Sequence, residues 1–270
     1  MYLLFLSHVL SITNKFNILF QSNSAVVHVL YAEMSAAYKS ILAMYMNISY
    51  VKITPVKDLN PESSVNYSPI NTMYLVVHVA KLMCRSDVRS EQSRLNEFFY
   101  RCRSFLVALP KEIRARLPFE CDFFQLVQIL DPQVAISGSI PSLLLICNRF
   151  PTFWNLQEAE EMNVEWRTFP FSSKVDEIIQ HEPTIGTEAF WGKISKLRND
   201  SGQLVYPLVS EVALSLLILP VSNASCERVF SSVHAIKTKS RNRFSTDGVA
   251  SLIFAQQALK GNCSTFCTID

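Results

Sequence analysis

The sequence predicts a mainly α protein, and three observations carry that expectation. Apolar residues recur at spacings of three and four over long stretches, the period of a helix with one buried face. Glycine is scarce: the chain has six, and none precedes Gly138. Strand signals are confined to Tyr50 to Ile53, where a brief pairing is expected, and nothing supports a large sheet.

The shortage of glycine also excludes function classes. Phosphate-cradling loops and dinucleotide turns need backbone at positive φ or in close approach to phosphate, which glycine supplies. No such motif occurs, so kinase, P-loop NTPase and Rossmann dehydrogenase are ruled out. A composition of 49% hydrophobic and 18% charged residues over 270 positions suits a packed globular chain, one large domain or two small ones. With a formal charge of +2 there is no global pull toward nucleic acid or an acidic membrane, and any such contact must come from a local patch. Seven cysteines, odd in number and mostly inside apolar runs, read as buried thiols in a reducing compartment. Cys263 and Cys267 have no neighbouring His or Cys to complete a metal site. No metal and no cofactor is expected.

The opening MYLLFLSHVLSIT lacks a basic lead-in, is interrupted by Ser7 and His8, and is well short of a ~20-residue membrane span. It reads as the start of a helix running from Tyr2 to about Phe20, with no membrane partner and no secretion. Ser24 is a candidate cap for a second helix, about Ala25 to Met46. Lys52 to Pro69 holds three prolines and several turn formers and reads as a surface excursion. The helical pattern returns from about Thr72 to Leu109, where Pro110 is expected to end it. Short helices follow at Asp122 to Leu130 and Ser142 to Arg149, and the acidic stretch Gln157 to Glu165 reads as a solvated helix face. Further helices are expected at about Thr187 to Leu197, Pro207 to Leu219, Asn223 to Ile236 and Thr246 to Lys260. Pro207 suits a first turn and Pro220 closes that helix. The helix from Pro207 is apolar almost all round, so it must be buried on more than one side.

Residues 205–254 read VYPLVSEVALSLLILPVSNASCERVFSSVHAIKTKSRNRFSTDGVASLIF. A tyrosine-proline pair opens an apolar helix, and leucine-proline closes it. Small and serine residues then precede Glu227-Arg228 and Phe230-Ser231, and a basic segment leads to a last apolar helix. In that order these features resemble the C-terminal dimerisation region of hAT-family transposases and of host proteins derived from them. Phe190-Trp191 fits the aromatic lead-in of that region. Residues 5–34, 115–132 and 165–170 are similar to parts of the helical insertion that interrupts the RNase H-like catalytic fold of this family. The resemblance therefore implies an insertion-type helical domain over 1–185, a dimerisation region over 186–261 forming the C-terminal helices of an incomplete RNase H-like fold, and a tail over 262–270.

In that family two aspartates and a glutamate hold divalent metal. The glutamate falls on Glu227, but both aspartates precede the helical insertion, and the first aspartate here is Asp58, beyond the segment resembling the insertion's start. One carboxylate cannot hold such a site, because hard cations need several oxygen ligands. Glu227 is therefore a vestigial candidate, and its structural reading is an early-helix acid favoured by the helix dipole.

For dimerisation and packing the resemblance and the apolar spacing point to Trp191, Tyr206, Pro207, Leu208, Leu216, Leu217, Leu219, Pro220, Arg228, Val229, Phe230, Val233, Leu252 and Ile253. Lys237, Lys239, Arg241 and Arg243 place four positive charges over seven residues, suited to phosphate contact. No aromatic interleaves them for base stacking, and a solvated connection is the preferred reading. The leading expectation is a non-catalytic, transposase-derived protein, nuclear or otherwise cytoplasmic, that binds itself or a related hAT-type protein. The alternative is a fragment of an active DNA transposase whose aspartates and DNA-binding module lie outside this chain.

Overall fold

A first helix, α1 (Tyr2–Phe20), runs its whole expected length because the apolar spacing continues through Phe16 and Phe20. By length and composition alone this helix reaches what a membrane crossing needs, as core helices and signal sequences near an N-terminus also do. It lies against α2 (Val27–Leu42) and α6 (Gln92–Arg116). Phe5 and Val9 are buried, with Phe5 edge-on to Phe105 and Tyr2 edge-on to Phe98. The computed structural model describes residues 1–22, 24–139, 142–238 and 243–259. Among them the chain is helical, with no strand and only isolated bridges, Met46 to Tyr67 and Arg198 to Leu204. The chain divides into a larger unit, Met1–Leu219, and a smaller one, Pro220–Asp270.

Met34, Tyr38, Ile41 and Leu42 of α2 and Phe98, Cys102 and Leu106 of α6 form one buried centre of the larger unit. Three local expectations are corrected there. Tyr50 to Ile53 does not pair as a strand; it is the end of α3 (Ile48–Ile53), whose N-cap Asn47 accepts from the Ser49 N–H at 2.9 Å. Ser24 caps nothing: α2 starts from Val26 without a side-chain cap. Pro110 does not end α6, which continues to Arg116 with the proline buried inside it. A proline ring inside a helix removes one backbone hydrogen bond, and here its apolar ring lies in the core while the last turn closes by Leu117 N–H to Ile113 O.

The proline-rich excursion is pinned rather than loose. Val56, Leu59 and Pro61 are buried, and buried tyrosines reach its carbonyls: Tyr45 Oη donates to Pro61 O at 2.8 Å and Tyr38 Oη to Leu59 O at 3.4 Å. A buried phenol needs a hydrogen-bond partner, and an irregular segment has carbonyls to offer. Burial pushes the Tyr38 hydroxyl above its usual range and the Tyr45 hydroxyl well above it. After it come α4 (Val77–Met83) and α5 (Ser86–Arg89).

The second buried centre is aromatic. It is assembled by α7 (Phe123–Leu126), the 3-10 turn Val127–Leu130, α8 (Pro132–Ile136), α9 (Leu144–Arg149), α10 (Leu156–Thr168), α11 (Ser173–His181), α12 (Thr187–Ile194) and α13 (Pro207–Leu217). Phe169 sits at its middle, stacked on Trp166 at 5.8 Å and on Trp191 at 5.5 Å, and edge-on to Tyr206 at 5.0 Å. Asp131 caps α8, accepting from Gln133 N–H at 2.8 Å with Pro132 in the first turn. Gly138 follows α8 at φ +62°, a backbone conformation that favours glycine.

The acidic stretch is more than a solvated face. Gln157, Glu160 and Glu161 are exposed as expected. Glu158 instead completes a capping box with Asn155, each side chain bonded to the other's backbone N–H at 2.9 Å. Glu165 turns inward to the start of α13.

The smaller unit is described by α14 (Ala224–Ile236) and α15 (Thr246–Leu259), which pack on each other. Ile236 and Val249 are its buried apolar residues among those described.

Candidate functional site

The residues proposed for association separate into two groups by burial. Trp191, Tyr206, Leu216 and Leu217 are buried in the larger unit. Trp191 donates its indole N–H to Leu130 O at 2.8 Å, a bond that satisfies the only polar atom of an otherwise apolar side chain. Tyr206 precedes α13 and packs its ring on Phe169, and Pro207 opens the helix where a missing N–H is no loss. Val209, Val212, Ala213, Leu216 and Leu217 are covered, Leu208 and Leu219 are half-buried, and Glu211 and Ser215 face solvent. Pro207, Pro220 and Ile218 are exposed. The nearly all-apolar pattern of α13 therefore corresponds to burial on most, not all, of its circumference.

Glu165 holds the first turn of α13. Its carboxylate accepts from Val209 N–H at 2.9 Å and Leu208 N–H at 3.4 Å, which places negative charge at the positive end of the helix. Burial pushes this carboxyl above the usual range, opposed by those two backbone bonds. No local spacing announces this contact, because the partners are more than forty residues apart; a half-apolar context around an acid, Val164-Glu165-Trp166, is the one available hint.

The other group lies on the smaller unit, and it is exposed. Val229 and Phe230 on α14 are 42% and 68% accessible, and Leu252 and Phe254 on α15 are 40% and 71% accessible. Val233 and Ile253 are half-buried, and Arg228 is exposed. Phe254 and the nearby exposed Phe244 are absent from the sequence-derived set. Both lie off the Val249, Leu252, Ile253 stripe, and only the tertiary placement of the stripe shows that they remain outside. Large apolar side chains this open, on two helices, are the mark of a surface that something covers.

Glu227 is exposed in the first turn of α14, with its own N–H bonded to Asn223 O at 2.9 Å. Among the described residues no group of three His, Cys, Asp or Glu side chains is placed to hold a metal ion. Of the basic segment, Lys237 and Arg243 are exposed, Lys237 at the end of α14; Lys239 and Arg241 lie outside the described residues, as do Cys263 and Cys267.

Residues 195–259 match the family model of the hAT family C-terminal dimerisation region. This stretch is hAT transposase-related. The hAT-type region begins at Ser195, so Phe190 and Trp191 precede it, and it takes in α13, α14 and α15. Its α13 part is core of the larger unit, and its α14–α15 part carries the open apolar side chains. A dimerisation role for the region follows from the match. No curated protein and no solved structure matches the chain.

Proposed function

We propose that the chain is a non-catalytic, transposase-derived protein that binds a second copy of itself, or a related hAT-type protein, through α14 and α15. The observation that carries this reading is the open set Val229, Phe230, Leu252 and Phe254 inside the matched stretch. Covering a fully exposed side chain of this kind contributes about 1.5 to 3 kcal/mol and covering the part still open here contributes a fraction of that, which α14 and α15 by themselves leave unrealised. On this reading α14 and α15 are the last helices of an incomplete RNase H-like fold and the nucleus is the place of action, both by resemblance. The absence of chemistry rests on Glu227 standing in this chain without the two aspartates that the resemblance calls for.

Sedimentation equilibrium on the full chain tests the proposal. The expected result is a dimer at micromolar concentration, converted to monomer with unchanged helical content by the double change Phe230→Asp and Phe254→Asp. A monomeric parent chain from which no hAT-type partner is recovered sinks it. A second reading, a fragment of an active transposase, is favoured by the exposed carboxylate of Glu227, a site that acids supplied from elsewhere would complete. In-frame coding sequence upstream with a strand-rich segment bearing two aspartates would carry that reading instead.

A further inference from the structure

Helix α6 holds more arginine than any other part of the fold, and almost every cation on it is used. Arg94 pairs with Glu91 at 3.3 Å, Arg101 with Glu97 at 2.5 Å and Arg116 with Glu112 at 3.3 Å. Lys111 pairs with Glu62 at 2.8 Å. Arg114 donates to the carbonyls of Leu59 and Lys57 and faces Glu120 at 3.5 Å. Arg103 differs. Among the described residues it has no carboxylate and no hydrogen-bond acceptor; its guanidinium lies between two tyrosine rings, 5.4 Å from the Tyr100 centroid and 6.0 Å from that of Tyr67.

A guanidinium has five N–H donors in one plane, and those of Arg103, half-buried and without a protein acceptor among the described residues, are met by solvent where the edge opens and so are available to a ligand oxygen. Ring faces stabilise its charge but accept little from its edge. The edge opens onto a cleft of about 420 Å³ between α6 and the proline-rich excursion, lined also by Tyr67, Ser104, Lys111 and Glu62. That volume is within the usual range for small-molecule sites, ~300 to 1,000 Å³. Two cations thus share a cleft with one carboxylate, and the carboxylate is held by the lysine. Tyr100 does not line the cleft; one face of its ring is covered by the Arg103 guanidinium at 5.4 Å, and with the residue 57% exposed the other face is open.

We propose that this cleft binds the phosphate monoester of a small molecule bearing a flat ring, the chemistry of a nucleoside monophosphate. The guanidinium fork of Arg103 matches two phosphate oxygens. A dianion displaces the single charge of Glu62 from Lys111, and the ring reaches out of the cleft to stack on the open face of Tyr100. Glu62 acts as the built-in competitor for the site. This places a binding function on the larger unit, independent of association through α14 and α15.

Isothermal titration of the full chain tests it, with adenosine monophosphate, ribose 5-phosphate, inorganic phosphate, adenosine and a short single-stranded oligodeoxynucleotide as probes. Saturable binding of adenosine monophosphate is expected, weakened about tenfold by Arg103→Gln and tightened by Glu62→Gln. Tyr100→Ala is expected to weaken the nucleotide and leave inorganic phosphate unchanged. Circular dichroism shows that each variant keeps its helices, and the opposite sign of the Glu62→Gln effect separates binding from a loss of fold. An oligonucleotide that binds tighter than the nucleotide with the same variant dependence places the phosphate ester in a strand; equal or weaker binding places it on a free nucleotide. The proposal is overturned if adenosine monophosphate does not bind, if binding ignores Arg103 and Glu62, or if inorganic phosphate binds as well as the nucleotide.

Discussion

At the scale of the residue, two titratable groups, one buried and one half-buried, pull stability in opposite directions with pH. His28 is buried beside Thr187, with Nε2 3.0 Å from the Thr187 hydroxyl, and burial lowers its pKa against the raising influence of Asp131 and Glu188. Its contribution is present above the ordinary value of 6.5 and is lost as pH falls below it. Glu165 behaves in the reverse sense. Its folded pKa is raised above the ordinary 4.5, so its contribution is complete below 4.5 and is lost as pH rises through the folded value. Glutamine at this position keeps an acceptor for Val209 N–H and cannot ionise. Urea unfolding should therefore show Glu165→Gln gaining on the parent chain between pH 4.5 and 7, whereas Glu165→Ala, which removes the cap, costs about 0.5 to 2 kcal/mol. Equal pH slopes for the parent and Glu165→Gln would refute this account.

At the scale of the element, the aromatic centre shows how far local pattern goes. The spacing places helices where α10, α12 and α13 are found, because helical period is a property of neighbouring residues. It does not reveal that Phe169, in a connecting turn, is the surface on which Trp166, Trp191 and Tyr206 meet. Trp191 is expected to be the most sensitive single position there. Trp191→Phe keeps most of the packing but leaves Leu130 O buried without its donor, at about 1 to 3 kcal/mol; Trp191→Ala adds a cavity and costs about 3 to 5 kcal/mol. Thermal and urea unfolding of both variants measures the difference. The same limit explains Pro110, where the local rule calls for an end and a buried ring inside a longer helix prevails. It also explains Tyr50 to Ile53, whose β-prone residues are a helix because Asn47 caps them.

At the scale of the whole molecule, the hAT-type region is divided between two units, and the division sets what each part does. Residues up to Leu219 complete the packing of the larger unit, with its two buried centres, whereas the smaller unit, among its described residues, buries Ile236 and Val249 and leaves Val229, Phe230, Phe244, Leu252 and Phe254 open. A chain ending at Leu219 is accordingly expected to keep the helical content of residues 1–219, unfold cooperatively and sediment as a monomer. Self-association that survives this deletion would move the dimerising surface into the larger unit.

The sequence by itself determined the helical class, the position of most helices and the exclusion of nucleotide loops, since these are written in short-range spacing and composition, while the dimerisation stretch was marked by its resemblance to the hAT region. Only the tertiary structure decided which apolar residues are core and which remain open. Trp191, Tyr206, Leu216 and Leu217 belong to the first class and Val229, Phe230, Leu252 and Phe254 to the second, although their patterns read alike. Periodicity records that a helix has an apolar face, but what covers the face is set by residues far away in the chain, as Leu130 is from Trp191 and Glu165 from Val209. The Arg103 cleft is of the same kind: its ring on one side, its lysine and its competing glutamate come together only when the proline-rich excursion folds against α6.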